Sequence, residues 1–236
     1  MSSIGRERAM TGQPQDNREL WEQRYQAGKA RINYPYDEVV SFMLGRYPED
    51  RRNQTAVLDF GCGTGNHLWF LLENGFDAFG VDSSVTAVTL AREAAARAAI
   101  KFDDNKVKVT SGDDLPFGDG MFDVVIDRSS LGQNRSEDIP ALVAEIHRVL
   151  KPGGTYFGIN FSDHYPDLHR ARNCGSGDFS DFAIGNLKEI GVRHFFSVSE
   201  IFDLFTGFAI EDVRVLSSLS LFDKRSNQQL VVIANK

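Results

Sequence analysis

The run Val57-Leu58-Asp59-Phe60-Gly61-Cys62-Gly63-Thr64-Gly65 constrains this chain more than any other segment. An apolar stretch of strand character ends in a carboxylate and a glycine-rich turn, and the amphipathic stretch Asn66 to Glu73 then reads as a helix. Glycines at alternate positions let the backbone bend sharply and let a ligand approach where a Cβ would collide. The first N–H groups of the helix lack partners within it and would point at that ligand. Strand, glycine turn and helix N-terminus together make a nucleotide-type pocket.

A pyrophosphate-binding turn spaces its glycines G-x-G-x-x-G/A. Gly61 and Gly63 fit, but the third slot is Asn66, and Gly65 falls one position early. Asp59 would also repel a diphosphate, since two like charges about 4 Å apart cost about 4 kcal/mol at a protein-surface dielectric. The turn favours a cationic ligand, which argues against a nicotinamide oxidoreductase.

Four further segments follow in order: Gly80-Val81-Asp82-Ser83-Ser84, then Gly112-Asp113-Asp114-Leu115-Pro116-Phe117, then Phe122-Asp123-Val124-Val125-Ile126-Asp127, and finally Glu145 to Gly154. With the glycine turn, this series resembles the motifs of the class I S-adenosylmethionine-dependent methyltransferases, strongly over Ala56 to Phe161 and in outline elsewhere. The resemblance implies a Rossmann-like α/β fold with a doubly wound, mostly parallel seven-stranded sheet and a C-terminal antiparallel hairpin. It also implies S-adenosyl-L-methionine as cofactor and S-adenosyl-L-homocysteine as product. A ligand with an ammonium and a sulfonium suits the charge argument.

Alternation of apolar runs and amphipathic stretches supports the same architecture. Strands are expected at Ala56–Phe60, Ala78–Val81, Lys106–Thr110, Phe122–Ile126 and Thr155–Phe161, with helices at Asn66–Glu73, Val85–Ala98 and Ile139–Leu150. Lys151-Pro152-Gly153-Gly154 carries helix-stop chemistry. Late strands at Ala209–Leu216 and Gln229–Ala234 should pair antiparallel, because a short polar loop joins them. Residues 1–15 read as a flexible N-terminus. Residues 16–55 should form a helical cap, with helices at Asn17–Gln26 and Asp37–Tyr47, over the carboxyl end of the first strand. Residues 56–236 form the core. Within it, residues 162–194 are long and polar and read as an insertion over the ligand edge that binds the acceptor.

The resemblance and the spacing together assign candidate site residues. Asp59, Gly61, Gly63 and Gly65 form the cofactor turn, and Asp82 with Ser83 ends the second strand, where a carboxylate can accept from both ribose hydroxyls. In the family a carboxylate after the third strand accepts from the adenine amine; here Asp113 and Asp114 both qualify. Asp127, after the fourth strand, has two readings: it acts at the methyl or acceptor, or it ties its own loop to backbone amides. Arg128 beside it reads either as an anchor for an acidic acceptor group or as a surface ion pair. Arg24 and Tyr25 are candidates for closing over the methionine end, where Arg24 would pair with the cofactor carboxylate through two hydrogen bonds. Trp21 reads as a core anchor. His164 is the second catalytic candidate, since neutral imidazole accepts a hydroxyl proton near pH 7. The histidine spacing matches no zinc signature, so no metal is expected.

Composition narrows the partners. The chain has 236 residues, 42% of them hydrophobic, and a net charge of −7, without a long basic run. Nucleic acid is therefore disfavoured, because phosphate contacts need clustered Lys and Arg. No stretch is apolar enough to span a bilayer, and Cys62 and Cys174 alone suit a reducing, cytoplasmic setting. The reading is an enzyme that methylates a small-molecule acceptor at a hydroxyl, amine or thiol, as a monomer or homodimer. A non-catalytic cofactor-binding module and a protein methyltransferase are the alternatives.

Overall fold

The computed structural model describes residues 17–97, 103–182, 187, 190–219 and 226–236. Expectations for residues 1–15 lie outside them, as do the end of the Ala-rich helix and most of the late polar loop. Ala56–Phe60 (β1) takes the middle of the sheet, and its Val57, Leu58 and Phe60 are buried. Strands covered on both faces read as continuous apolar runs, which is why this segment is so uniform. β1 pairs in parallel with Asp77–Asp82 (β2) on one side and Phe122–Arg128 (β4) on the other. Val107–Val109 (β3) extends the first side, and Leu150–Phe161 (β5) the second. Two C-terminal strands complete it: Asn227–Asn235 (β10) runs antiparallel to both β5 and Ala209–Ser218 (β9). The order is β3-β2-β1-β4-β5-β10-β9, seven strands as the motifs implied.

Helices cover both faces. Asp37–Arg46 (α2), Asn66–Glu73 (α4) and Val85–Arg97 (α5) pack one apolar layer, where Phe42 stacks on Phe157 with ring centroids 4.1 Å apart. Ile139–Val149 (α6) packs the other through Ile139, Leu142, Val143, Ile146 and Val149, a stripe at helical spacing. Asn17–Gln26 (α1) lies at the carboxyl edge of the sheet against α5.

Several boundaries differ from the sequence reading. Lys151 to Gly154 lies inside β5, which starts at Leu150 opposite Phe122 and slips register before Val124 meets Thr155. The Pro-Gly-Gly run is thus absorbed as a strand irregularity. Glu49–Arg52 adds a short helix (α3) between α2 and β1. The 162–194 segment is not simply a long loop. Arg172–Gly175 (β6), Asp178–Ser180 (β7) and Arg193–His194 (β8) make a small antiparallel sheet over a third apolar cluster around Phe195. Val198–Leu204 (α7) follows, started by a capping box between Ser197 and Glu200.

Candidate active site

The site begins where β1 ends. Gly61 and Gly63 have positive φ, and both positions are crowded. A Cβ on Gly61 would overlap the Ser130 side chain, and one on Gly63 would stand 2.8 Å from the Tyr25 hydroxyl. The glycines therefore hold open a cradle between α1 and the loop after β4. Strand order reverses beside β1, since β2 lies on one side and β4 on the other, and ligands of open α/β sheets bind at such a switch point. A cavity of about 600 Å³ opens there.

Asp82, at the end of β2, faces this cavity. One of its oxygens accepts from the Gly63 N–H and the other from the Ser84 N–H, each at 2.9 Å. A carboxylate has about four acceptor sites, so each oxygen keeps capacity for a ligand hydroxyl. Burial pushes its carboxyl up to about 6, and the like charges of Asp59 and Glu22 add to the effect.

α1 is fastened over this edge by Glu22. Its carboxylate accepts from the Ser84 hydroxyl at 2.6 Å, the Thr86 hydroxyl at 2.5 Å and the Thr86 N–H at 3.2 Å. Burial alone would raise its pKa, but these bonds prevail and hold it at about 2. The chain after α1 is tied to the start of α4: the Thr64 hydroxyl donates to the Ile32 carbonyl, and the Asn66 amide to that of Tyr34. Asn17 joins α1 to the 162–194 segment, donating to the Val192 carbonyl at 2.5 Å and accepting from the Val192 N–H at 3.2 Å.

The fold brings Arg24, Tyr25, Gly61, Gly63, Asp82 and Ser83 together at the cavity wall. It does not bring the other candidates there. Asp59 is buried behind the turn, 3.5 Å from the His67 ring, with one oxygen unpartnered among the described residues. Gly65 begins α4 behind the same turn. Asp113 and Asp114 are exposed, and Thr110, Ser111 and Gly112 line the cavity in their place. The hydrogen bond from the Ser111 hydroxyl holds the Asp113 carboxyl below its usual range. His164 is exposed and outside the lining, while Tyr165 and Asp167 beside it are within it.

Asp127 is fully buried beneath the wall. One oxygen accepts from the N–H groups of Ser130 and Leu131, the other from the Tyr156 hydroxyl at 2.8 Å and the Asn160 amide at 2.6 Å. All its acceptor capacity is used within the chain, the geometry of a loop-fixing carboxylate. Burial still raises its pKa against these four donors.

Three cavity residues were not foreseen in their present roles. Arg128 is no surface residue: it lies 4.0 Å over the Tyr36 ring and donates to Ser129 and Gln229. Trp21 packs against the third apolar cluster, as its core reading has it, but is also part of the wall, and the guanidiniums of Arg24 and Arg193 approach its ring at 5.6 and 5.7 Å. Arg193 was not singled out at all. A lone Arg inside the apolar run Ile190 to Phe196 was the available signal. In all, Arg18, Arg24, Lys29, Arg31, Arg128 and Arg193 line the cavity against two carboxylates, Asp82 and Asp167. Charge is thus divided: Asp82 lies at the glycine turn and Asp167 on the 162–194 segment, and cationic side chains make up the rest of the charged lining.

This architecture defines an α/β protein with a ligand cleft at the switch point of a seven-stranded sheet. Comparison with known proteins shows what this chain resembles. Residues 57–154 match the model of a methyltransferase domain. An uncharacterized methyltransferase of Synechocystis sp. is 32% identical over 117 residues, half of this chain and 49% of that protein. The chain therefore spans about half the length of that curated relative. A S-adenosylmethionine-dependent methyltransferase of Methanosarcina mazei superposes with TM-score 0.66 at 22% identity, over 86% of this chain and 98% of that one. A Burkholderia thailandensis 1,6-didemethyltoxoflavin-N1-methyltransferase, solved with its namesake ligand and S-adenosylhomocysteine, superposes with TM-score 0.60 at 19% identity, over 93% and 86%. Residues 57–154 are thus similar to a methyltransferase domain, and the fold around them is that of solved S-adenosylmethionine-dependent methyltransferases. Among the described residues no helix is long and apolar enough to cross a membrane.

Proposed function

We propose that this chain transfers a methyl group from S-adenosylmethionine to a small-molecule acceptor by in-line displacement. The observation that carries the reading is Asp82, a buried carboxylate at the end of β2 whose spare acceptor capacity faces the cavity beside Gly63. Its partners fit an adenosyl ligand: two ribose hydroxyls need two acceptors, and the cradle left by Gly61 and Gly63 admits the chain beyond the sugar. Arg24, which lies over Trp21 at the cavity wall, would receive the methionine carboxylate.

When bound, the cofactor supplies a methyl carbon made electrophilic by positive sulfur. The remaining task of the chain is placement, which can contribute about 7–11 kcal/mol of barrier reduction without a dedicated acid or base. Asp127 serves that task by holding the Ser130 and Leu131 amides, and so the loop that abuts Gly61. Tyr165 lines the space beyond the turn. This second region supports catalysis over simple cofactor sensing, because a sensor needs no room for an acceptor. Enclosure by α1 and the 162–194 segment supports a small acceptor over a protein chain.

Incubating the chain with methyl-deuterated cofactor and a metabolite extract should produce a mass-shifted small molecule, and Asp82→Ala should abolish it. Homocysteine-form binding without any labelled product would favour the sensor. Label recovered only on protein would favour the protein methyltransferase.

A further inference from the structure

Arg193 presents an imbalance that the cofactor does not resolve. It is 3% exposed, yet among the described residues it donates no hydrogen bond and pairs with no carboxylate, and its Nε is buried without a partner. Its guanidinium lies between aromatic rings, 5.7 Å from Trp21 and 5.5 Å from Phe161. Among charged neighbours the one that acts on it most is a like one, Arg24; burial and that neighbour push Arg193 down to about 9. Keeping a cation buried without a partner is costly, and chains normally pair it. Arg128 differs, because Asp37 and Glu38 from α2 act on it favourably.

The cofactor brings one carboxylate but also an ammonium and a sulfonium, so its net charge is positive. Arg24 suffices for that carboxylate. Binding therefore deepens the positive excess of the cavity, where Asp82 and Asp167 are the lining carboxylates among the described residues, and an anionic acceptor would offset it.

The geometry points to an acidic acceptor: a small molecule whose carboxylate or phosphate is received by Arg193, with an apolar body against Phe161, Tyr165, Leu187 and Ile190. This rests on the methyltransferase reading and names its substrate class. β8 fixes Arg193 by pairing with Phe179, and Asn17 of α1 grips the preceding Val192, so the anion site and the cofactor cap share one support.

Calorimetry tests this with the chain saturated by S-adenosylhomocysteine and three probes of similar shape: phenylacetate, phenyl phosphate and 2-phenylacetamide. At least one anion should bind about tenfold or more tightly than the neutral amide, the scale of hydrogen bonds to a charged group. The tighter of the two identifies carboxylate or phosphate as the head group. Arg193→Met should erase the preference and Arg193→Lys should keep part of it, while affinity for S-adenosylhomocysteine stays within about twofold, which also reports correct folding. Amide binding equal to the anions, or no anion binding at millimolar concentration, would overturn the proposal. So would an Arg193→Met loss of cofactor affinity as large as that of Arg24→Met, since Arg193 would then serve the methionine end. If wild type fails to bind S-adenosylhomocysteine, the parent reading fails instead, and the same probes on the empty chain still decide the anion preference.

Discussion

At the scale of single residues, Asp82 joins stability, pH and ligand affinity. Its folded carboxyl titrates near 6, above the usual carboxylate range, because burial opposes its charge. A raised carboxylate pKa means that the empty folded chain holds the proton more tightly than the unfolded chain. The stability it contributes is therefore full below about pH 4 and is lost as pH rises through about 6. Ribose hydroxyls need the ionised form, so affinity for S-adenosylhomocysteine should fall about tenfold per pH unit below about 6. Titrations at pH 5, 6 and 7.5 check this, and a flat profile would remove Asp82 from the ribose. The residue was legible because it ends a short apolar run and precedes two serines. Asp127 was not, although it also ends a strand. Its partners Tyr156 and Asn160 come from β5, and no local pattern announces that they turn inward to it. The structure favours the loop-tying alternative for Asp127 on that ground. Arg193 was hidden for the opposite reason: its meaning lies in the partners it lacks among the described residues.

At the scale of elements, the cap and the 162–194 segment depend on few polar ties. Glu22 anchors α1 to the start of α5, so Glu22→Ala should loosen the cap while leaving the sheet intact. Affinity for S-adenosylhomocysteine should drop about tenfold, and trypsin should cut faster after Arg24. Unchanged proteolysis would show that packing against α5 holds the helix unaided. The small sheet is held by His194, which is fully buried, 2.9 Å from Asp178 on one nitrogen and 2.8 Å from Glu200 on the other. Burial disfavours its charged form, but Glu200 and Asp178 prevail and raise its pKa above the ordinary value. Stability from this clamp is full below about pH 6.5 and is lost as pH rises through the raised pKa. His194→Ala should cost about 3 kcal/mol at pH 6, near the low end for a broken buried pair because Glu200 is a third exposed. Denaturation at pH 6 and 9 should show the difference shrinking at the higher pH. The parallel core was legible here because buried strands are uniformly apolar. The three short strands were not, since β6 is wholly exposed and β8 spans two residues.

For the whole molecule, two apolar layers around the sheet form a scaffold, and a third, smaller cluster supports the wall over the cavity. An acidic chain of net charge −7 concentrates cations around its cleft. The overall charge therefore does not describe the site, and no composition argument could have shown that separation. Fold and glycine turn were readable from motif order, because backbone geometry at the strand ends demands particular residues. The cationic wall of the cavity was not, since it is assembled from α1, the loop after β4 and β8 across more than half the chain.

Each of these levels relies on the cleft at the head of β1 holding an adenosyl ligand through the carboxylate that closes β2. Calorimetric titration of S-adenosylhomocysteine at pH 7.5 into wild type and Asp82→Ala tests it most directly. One-to-one binding that weakens about a hundredfold in the variant is expected, from the loss of two hydrogen bonds to a charged acceptor. Equal affinity in the two proteins would contradict the account.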